Sequence, residues 1–343
     1  MLITALVTPF TEDSKDLDLP RLQEWVAFQL DCGVDRVLLM GTTGEGASLR
    51  ESERDVLLEA CREVARPSQI MVSLGLGRVD QLVDRGHRAL SQGVQDLLVV
   101  DYPYVGASST DLRRHHYGPL AEALPESFLV PYAVPSRTSC FMLPEDLARL
   151  HEDYPQVVGV KDATGCLDNM RSVRQLLGEK FVLLCGEDGL IGESLLASDI
   201  RAHGAVSFAA NLAPDLFSTL VQAGLDGDAV AVEAVSQPVK AIASLVSITA
   251  IENLSLHGKV RNVSQRYRNP LPLKTALGVM GAHGGPCRPP HGAMGKAGAE
   301  AVASICAMVE RDFPGVFDSL RRAWGTDAGV FDDLTAGVET VSP

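Results

Sequence analysis

Lys161 closes the apolar run Val157-Val158-Gly159-Val160, and Tyr132 closes the run that starts at Phe128-Leu129-Val130. Each run has the composition of a buried strand, and each ends in a reactive side chain followed by a turn. A lysine there is poorly hydrated. Desolvation disfavours the ammonium, lowers its pKa and leaves a nucleophilic amine. Such an amine condenses with a ketone or aldehyde to give a Schiff base, with Lys161 as nucleophile. Most strand-end lysines only snorkel to solvent, so the neighbours decide. Carbinolamine formation, dehydration and proton exchange at the enamine carbon all need an acid and a base, which a tyrosine beside the lysine supplies if its proton is relayed. Arg137, five residues beyond Tyr132, offers a bidentate fork for a carboxylate.

A second cluster follows another apolar run, Arg36–Met40. It reads Gly41-Thr42-Thr43-Gly44-Glu45-Gly46. Glycines let backbone N–H groups approach an anion closely, and the two hydroxyls add donors. A small carboxylate fits that cradle. A fourth apolar run leads into Asp101-Tyr102-Pro103-Tyr104.

The elements that position these residues follow from periodicity. Strands are expected at Leu2–Leu6, Arg36–Met40, Ile70–Leu74, Leu97–Val100, Phe128–Tyr132, Val157–Lys161, Phe181–Cys185 and Ala205–Phe208. Between them lie helical patterns: Leu22, Trp25, Val26 and Leu30 mark the first, and Val56, Leu57 and Ala60 the second. Others cover Gln81 to Leu90, Asp111 to Ala121, Pro144 to His151, Asn169 to Leu177, Ile191 to Leu196 and Pro214 to Val221. Near-continuous apolar strands alternating with helices imply a parallel sheet covered on its outer face. Eight units in about 225 residues fit one (β/α)8 TIM barrel, for which roughly 250 residues is typical. The rival, a doubly wound sheet, lacks Gly-x-Gly-x-x-Gly after its first strand; Gly75-Leu76-Gly77 reads as a tight turn. The expected organisation is a barrel over 1–225 carrying the active site, a helical addition over 226–311, and a tail over 312–343. Helices are expected at Asp228 to Val246, Thr275 to Met280, Ala299 to Val309 and Phe317 to Trp324. In a barrel the strand C-termini share one mouth, where active sites lie.

Composition sets the wider bounds. The 343 residues are 46% hydrophobic and 22% charged, with a formal net charge of −14. That balance is globular and argues against nucleic acid, whose phosphates need a basic face. Seven scattered cysteines without a Cys-x-x-Cys pair suit a reducing, cytoplasmic setting. No signal peptide is expected, since the N-terminus lacks a basic stretch followed by a long apolar one. No apolar run approaches the ~20 residues of a membrane span.

Gly41-Thr42-Thr43-Gly44-Glu45, Tyr132-Ala133-Val134-Pro135-Ser136-Arg137-Thr138 and Gly159-Val160-Lys161-Asp162-Ala163-Thr164-Gly165 resemble the dihydrodipicolinate synthase family. That family belongs to the pyruvate-dependent class I aldolases, which include N-acetylneuraminate lyase. The resemblance runs from Ala5-Leu6-Val7-Thr8-Pro9-Phe10 to Asn211-Leu212-Ala213-Pro214. It resumes at Asn269-Pro270-Leu271-Pro272-Leu273-Lys274 and Gly284-Gly285-Pro286-Cys287-Arg288. It implies a lyase that joins pyruvate to L-aspartate 4-semialdehyde in lysine biosynthesis. Lys161 would form the Schiff base, Tyr132 would be the general acid/base, and Thr42 would hydrogen-bond Tyr132 in a proton relay. Tyr104 would reach into a neighbouring subunit's site. Thr43, with Gly44 in the same cradle, would bind the pyruvate carboxylate. Val206 would offer its carbonyl near the lysine, and Arg137 would receive the aldehyde's carboxylate. The family needs no metal or organic cofactor and forms homo-oligomers, dimers or tetramers. The alternative is another pyruvate-dependent aldolase acting on a different aldehyde.

The chain departs from the family pattern in places. Asp101-Tyr102-Pro103-Tyr104-Val105 replaces Thr-Pro-Tyr-Tyr-Asn, Ala133 replaces an asparagine, and the segment between Pro238 and Asn269 is longer. Many members are inhibited by lysine. Where their site has an asparagine and a glutamate, this chain has Val79 and Val83, next to Arg78, and it has Glu51 and Arg54 early in the second helix. Lysine inhibition is therefore not expected.

Overall fold

The computed structural model describes residues 1–325. Eight short parallel strands form its centre: β1 (Leu2–Ala5), β2 (Arg36–Leu39), β3 (Ile70–Ser73), β4 (Asp96–Val100), β5 (Phe128–Ala133), β6 (Gly159–Asp162), β7 (Val182–Cys185) and β8 (Gly204–Ser207). They hydrogen-bond in sequence order, and β8 pairs back to β1, closing the barrel. The fold is the expected (β/α)8 barrel.

Strand alternation sorts the side chains into two layers. Ile3, Leu38, Met71, Leu98, Val130, Tyr132, Leu184 and Val206 fill the barrel interior. Val37, Leu39, Ile70, Val72, Leu97, Val99, Leu129, Val160 and Leu183 face outward to the helices. Val160 therefore sends its successor, Lys161, inward. Parallel register sets Tyr132 directly beside Lys161 on the adjacent strand.

The helices lie near their expected positions, with better defined ends. The first runs Leu19–Asp31, and the Asp18 carboxylate caps it by accepting from the Arg21 amide at 3.1 Å. Others are Glu51–Arg62, Val79–Ser91, Pro144–Asp153, Leu167–Leu177, Ile191–Leu196 and Pro214–Leu225.

The C-terminal region is helical, with segments at Ala229–Ala243, Leu271–Val279, Lys296–Asp312 and Asp318–Trp324. Trp324 packs 4.2 Å from Trp25 and 4.7 Å from Phe28, seating the last helix on the first. Residues 326–343, most of the expected tail, lie outside the described residues. Ala229–Val246 falls where a helix is expected, but its mean hydropathy is 1.3 over 18 residues, a span's length and composition. Alanines and valines interrupted by Glu233, Gln237 and Lys240 raise that mean without a contiguous apolar run. In the fold the helix packs against Pro214–Leu225 and Lys296–Asp312.

One element is new relative to the sequence reading. The long segment before Asn269 is a two-stranded antiparallel hairpin, β9 (Ser247–Leu256) and β10 (Lys259–Arg268). Its turn residues His257 (φ 50°) and Gly258 (φ 70°) are both left-handed, as a type I′ turn requires. The root is built into the protein. Glu252 accepts from the amides of Gly298 (2.8 Å) and Ala297 (3.3 Å), in the first turn of Lys296–Asp312, and from the Tyr267 hydroxyl at 3.0 Å. The tip is exposed on both faces.

Candidate active site

A cavity of about 530 Å³ opens at the C-terminal ends of the strands. Lys161, Tyr132, Thr42, Thr43, Arg137 and Val206 all line it. Residues from β2, β5, β6 and β8 thus converge as strand order requires.

Lys161 is 5% exposed, and its ammonium nitrogen lies 4.1 Å above the centroid of the Tyr132 ring. Burial lowers its pKa to about 8, although the carboxylates of Asp188 and Glu187 oppose the shift. A fraction of the amine is therefore unprotonated near neutrality. Space for its stem comes from Gly186, where a Cβ would sit 3.0 Å from the Lys161 Cε and 3.1 Å from the Asp162 carbonyl oxygen. The Tyr132 hydroxyl is pushed well above its usual range by burial, so it rests protonated.

The cradle after β2 is a tight turn. The Gly46 amide donates to the Gly41 carbonyl at 3.0 Å, and the Glu45 amide to Thr42 at 3.2 Å. Glycine is required at Gly46, where a Cβ would fall 1.8 Å from the Met40 carbonyl oxygen. Thr43 is buried, and its hydroxyl accepts from the Asn269 side-chain amide at 2.9 Å, which leaves its proton free to donate. The turn is fixed from behind by a buried ion pair, Glu45 with Lys274 at 2.6 Å. Lys274 also donates to the carbonyls of Thr8 (2.8 Å) and Pro286 (2.9 Å). Arg288 adds its amide to Glu45 at 2.8 Å and a two-bond fork to Glu53 at 2.7 and 2.8 Å. The C-terminal motifs thus clamp the cradle.

Three of the expected positions differ. Gly44 is outside the cavity wall: it is packed inward, where a Cβ would meet the Leu6 carbonyl oxygen at 2.9 Å, and its own carbonyl accepts from the Thr8 hydroxyl at 2.7 Å. Its role is to shape the turn. Tyr104 is 97% exposed, has a left-handed backbone (φ 77°) and is not part of the cavity; only Pro103 of that loop is. Thr42 lines the cavity, but no side-chain hydrogen bond joins it to Tyr132 among the described residues.

Sequence reasoning missed the acidic wall. Glu187 and Asp188, just after β7, line the cavity beside Lys161. Asp188 is buried and accepts from the Ser207 hydroxyl. Burial raises both carboxyls to about 6. The signal was an acidic pair between glycines at a strand end, Gly186-Glu187-Asp188-Gly189, which also reads as a solvated turn. Asn269 and Arg268 were missed as well. Among the described residues, no group of three or more His, Cys, Asp and Glu side chains is placed to hold a metal ion.

The profile of the dihydrodipicolinate synthetase family matches residues 1–308. The chain belongs to that family. The 4-hydroxy-tetrahydrodipicolinate synthase of Methylococcus capsulatus is 31% identical over 280 residues, covering 81% of this chain and 88% of the relative. That of Geobacter metallireducens is 30% identical over 305 residues, covering 88% and 96%. The solved structure of the synthase from Methylacidiphilum fumariolicum SolV superposes with a TM-score of 0.79 at 24% identity, covering 94% of this chain and 98% of that one. Membership in this family makes the chain a lyase of the dihydrodipicolinate synthase type. The family signatures fall on the cavity: Lys161 and Tyr132 face each other, and Thr43 and Arg137 stand on its wall.

Proposed function

We propose that the protein condenses pyruvate with L-aspartate 4-semialdehyde to give 4-hydroxy-tetrahydrodipicolinate. The observation that carries this reading is the Lys161 amine, depressed to about 8, held 4.1 Å over the Tyr132 ring in a cavity whose wall also presents Thr43 and Arg137. Pyruvate's carboxylate sits on Thr43 and the cradle amides, which brings its ketone carbon to Lys161. The neutral amine adds to that carbon. Tyr132 delivers a proton to the departing hydroxyl, one water leaves, and an iminium forms. Loss of a C3 proton gives the enamine, whose carbon attacks the aldehyde. The new alkoxide takes a proton, and the aldehyde's own amino group attacks the iminium carbon. The ring closes and Lys161 is released as the free amine. One water is lost overall.

Arg137 meets the aldehyde's carboxylate. Tyr104 completes the site of a second copy in this reading, which its full exposure supports. The seven unpaired cysteines support a reducing, cytoplasmic setting. A second reading, another aldehyde acceptor, is favoured by the Asp101–Val105 segment and Ala133, which depart from the family pattern next in sequence to the cavity residues Val100, Tyr132 and Val134.

The test is borohydride reduction with pyruvate, peptide mass mapping, and turnover with aspartate semialdehyde. A covalent adduct on Lys161 together with turnover is expected. An adduct without turnover moves the assignment to another aldehyde, and no adduct on Lys161 overturns the Schiff-base reading.

A further inference from the structure

We infer that Arg268, at the root of the inserted hairpin, is the second anion-holding residue of this site. Together with Arg137 it forms a two-guanidinium clamp for the carboxylate of the acceptor aldehyde. The inference rests on the Schiff-base reading above for what the acceptor reacts with, but the anion clamp stands on its own geometry.

Arg268 is the last residue of β10, and its half-buried side chain stands in the cavity wall with Arg137. The two are locked in by a reciprocal exchange. Arg268 Nη1 donates to the Ser136 carbonyl at 3.1 Å, and Arg137 Nη2 donates to the Asn269 carbonyl at 2.9 Å. Each guanidinium thus grips the residue that adjoins the other in sequence. The one-turn helix Pro135–Thr138 after β5 and the foot of the hairpin are stitched together with both charges on the seam.

A guanidinium carries five N–H donors. Those two carbonyl bonds are the side-chain hydrogen bonds of Arg137 and Arg268 among the described residues. Neither side chain has a carboxylate within ion-pair distance among the described residues. Glu187 is on the same cavity wall but engages neither. Two like charges held together in a partly desolvated wall repel, and the pKa of Arg137 is lowered by burial and then by Arg268. An anion between them relieves that repulsion and takes up the unused donors. A carboxylate has the planar, two-oxygen shape that guanidinium forks match.

The position of the clamp gives it a role. It lies on the cavity that holds Lys161, joined to the Thr43 cradle through Asn269, whose side-chain amide donates to Thr43 at 2.9 Å; with pyruvate's carboxylate on Thr43 in the reading above, the unused donors of the two guanidiniums serve the second substrate. Its chemistry selects an aldehyde with an anionic far end. A sugar-like aldehyde offers only hydroxyls, which leave two guanidiniums unpaired when water is displaced, and that is costly. The hairpin's anchoring by Glu252 and Tyr267 on helix Lys296–Asp312 then has a purpose, since it fixes the strand that ends in Arg268.

Succinate binding by calorimetry, in the absence of pyruvate, tests the clamp without requiring turnover. The full-length protein is expected to bind succinate. Arg268→Gln should weaken binding by at least about tenfold, the loss expected for a charge-assisted hydrogen-bond pair, and Arg268→Lys should retain part of it. Absence of binding to the wild type, or equal binding by folded Arg268→Gln, overturns the clamp. Kinetics separate the substrate role from a brace at the hairpin foot. Arg268→Gln should raise KM for aspartate semialdehyde and succinic semialdehyde, while borohydride trapping of pyruvate and any use of glyceraldehyde stay within about twofold. Equal losses on charged and uncharged aldehydes would instead mark Arg268 as a brace and overturn its part in selection. Failure of trapping in the wild type sinks the Schiff-base reading alone, because succinate binding still decides the clamp.

Discussion

The Lys161 amine stands 4.1 Å above the Tyr132 ring, and these two residues are register partners on adjacent strands. A cation over an aromatic face is attracted to it, so the ring favours the ammonium form. Burial works in the opposite direction and dominates, bringing the pKa to about 8. Only the neutral amine attacks. The initial rate of borohydride trapping with pyruvate should therefore climb with pH and level off above about pH 8. Glu187 and Asp188 each favour the charged lysine. Removing one negative neighbour by Glu187→Gln lowers the lysine pKa further and moves the profile to lower pH. A shift to higher pH, or none, would show that Glu187 does not act on Lys161.

The Glu45–Lys274 pair is almost fully buried, at 1% and 3% side-chain exposure. Lys274→Met leaves a buried carboxylate without its cation. Breaking such a pair from one side costs about 3–5 kcal/mol, and the cradle around Thr43 loosens with it. Chemical denaturation should show that loss. The double variant Lys274→Met with Glu45→Gln should recover part of it, because no charge is then stranded. Equal stability of single and double variants would mean that the pair is not what holds the turn.

The barrel was legible because it rests on local signals: apolar strands, helical periodicity and punctuating turns. Lys161 and Tyr132 were legible for the same reason, since a reactive side chain closing an apolar strand stands out by itself. The clamps behind the cradle were not. Asn269 meets Thr43 across 226 positions, and Arg288 meets Glu53 across 235, so their motifs could be quoted without revealing what they touch. The hairpin carries alternation in Ile248, Ala250 and Glu252, but its His257-Gly258 turn is a weaker signal than Asn-Gly. Arg268 was lost with it. Tyr104 is a different case: its backbone conformation and exposure are properties of the loop's surroundings, and nothing in the pentapeptide encodes them.

Asp101 gives a pH prediction for stability. It is 1% exposed, accepts from the Tyr117 hydroxyl at 2.8 Å, and has its pKa raised by burial from 3.8 to about 7. Because the folded pKa is the higher one, the contribution is fully present below pH 3.8 and is lost as pH rises toward about 7. Asp101→Asn removes the ionisation and keeps an acceptor for Tyr117. The stability of the variant relative to wild type should grow with pH across that window, by at most about 1.4 kcal/mol per pH unit, and level off above it. A difference independent of pH would show that Asp101 ionises in the folded protein as freely as in water.

Lysine should not inhibit this protein at millimolar concentration. Val79 opens the third helix, and Val83 follows one turn later, where a ligand ammonium would need an amide and a carboxylate. The carbonyls of the adjacent turn are already taken: Arg85 donates to Leu74 at 2.7 Å and to Leu76 at 2.8 Å. Glu51 is engaged by Arg85 and Arg88. Arg54 is buried against the Ser73 carbonyl at 3.2 Å and the Gly46 carbonyl at 3.0 Å. The charge of Arg78 is largely answered by Asp80 at 2.6 Å and that of Arg85 by Glu51, so Arg54, which has no carboxylate within ion-pair distance among the described residues, supplies the repulsion instead. Stranding a charged ligand group among them costs several kcal/mol, whereas millimolar affinity is worth only about 4 kcal/mol. Turnover should therefore be flat in a lysine titration to several millimolar, with calorimetry showing no binding heat. Saturable inhibition below about one millimolar would mean that Arg54 and Arg85 move aside to admit the ligand.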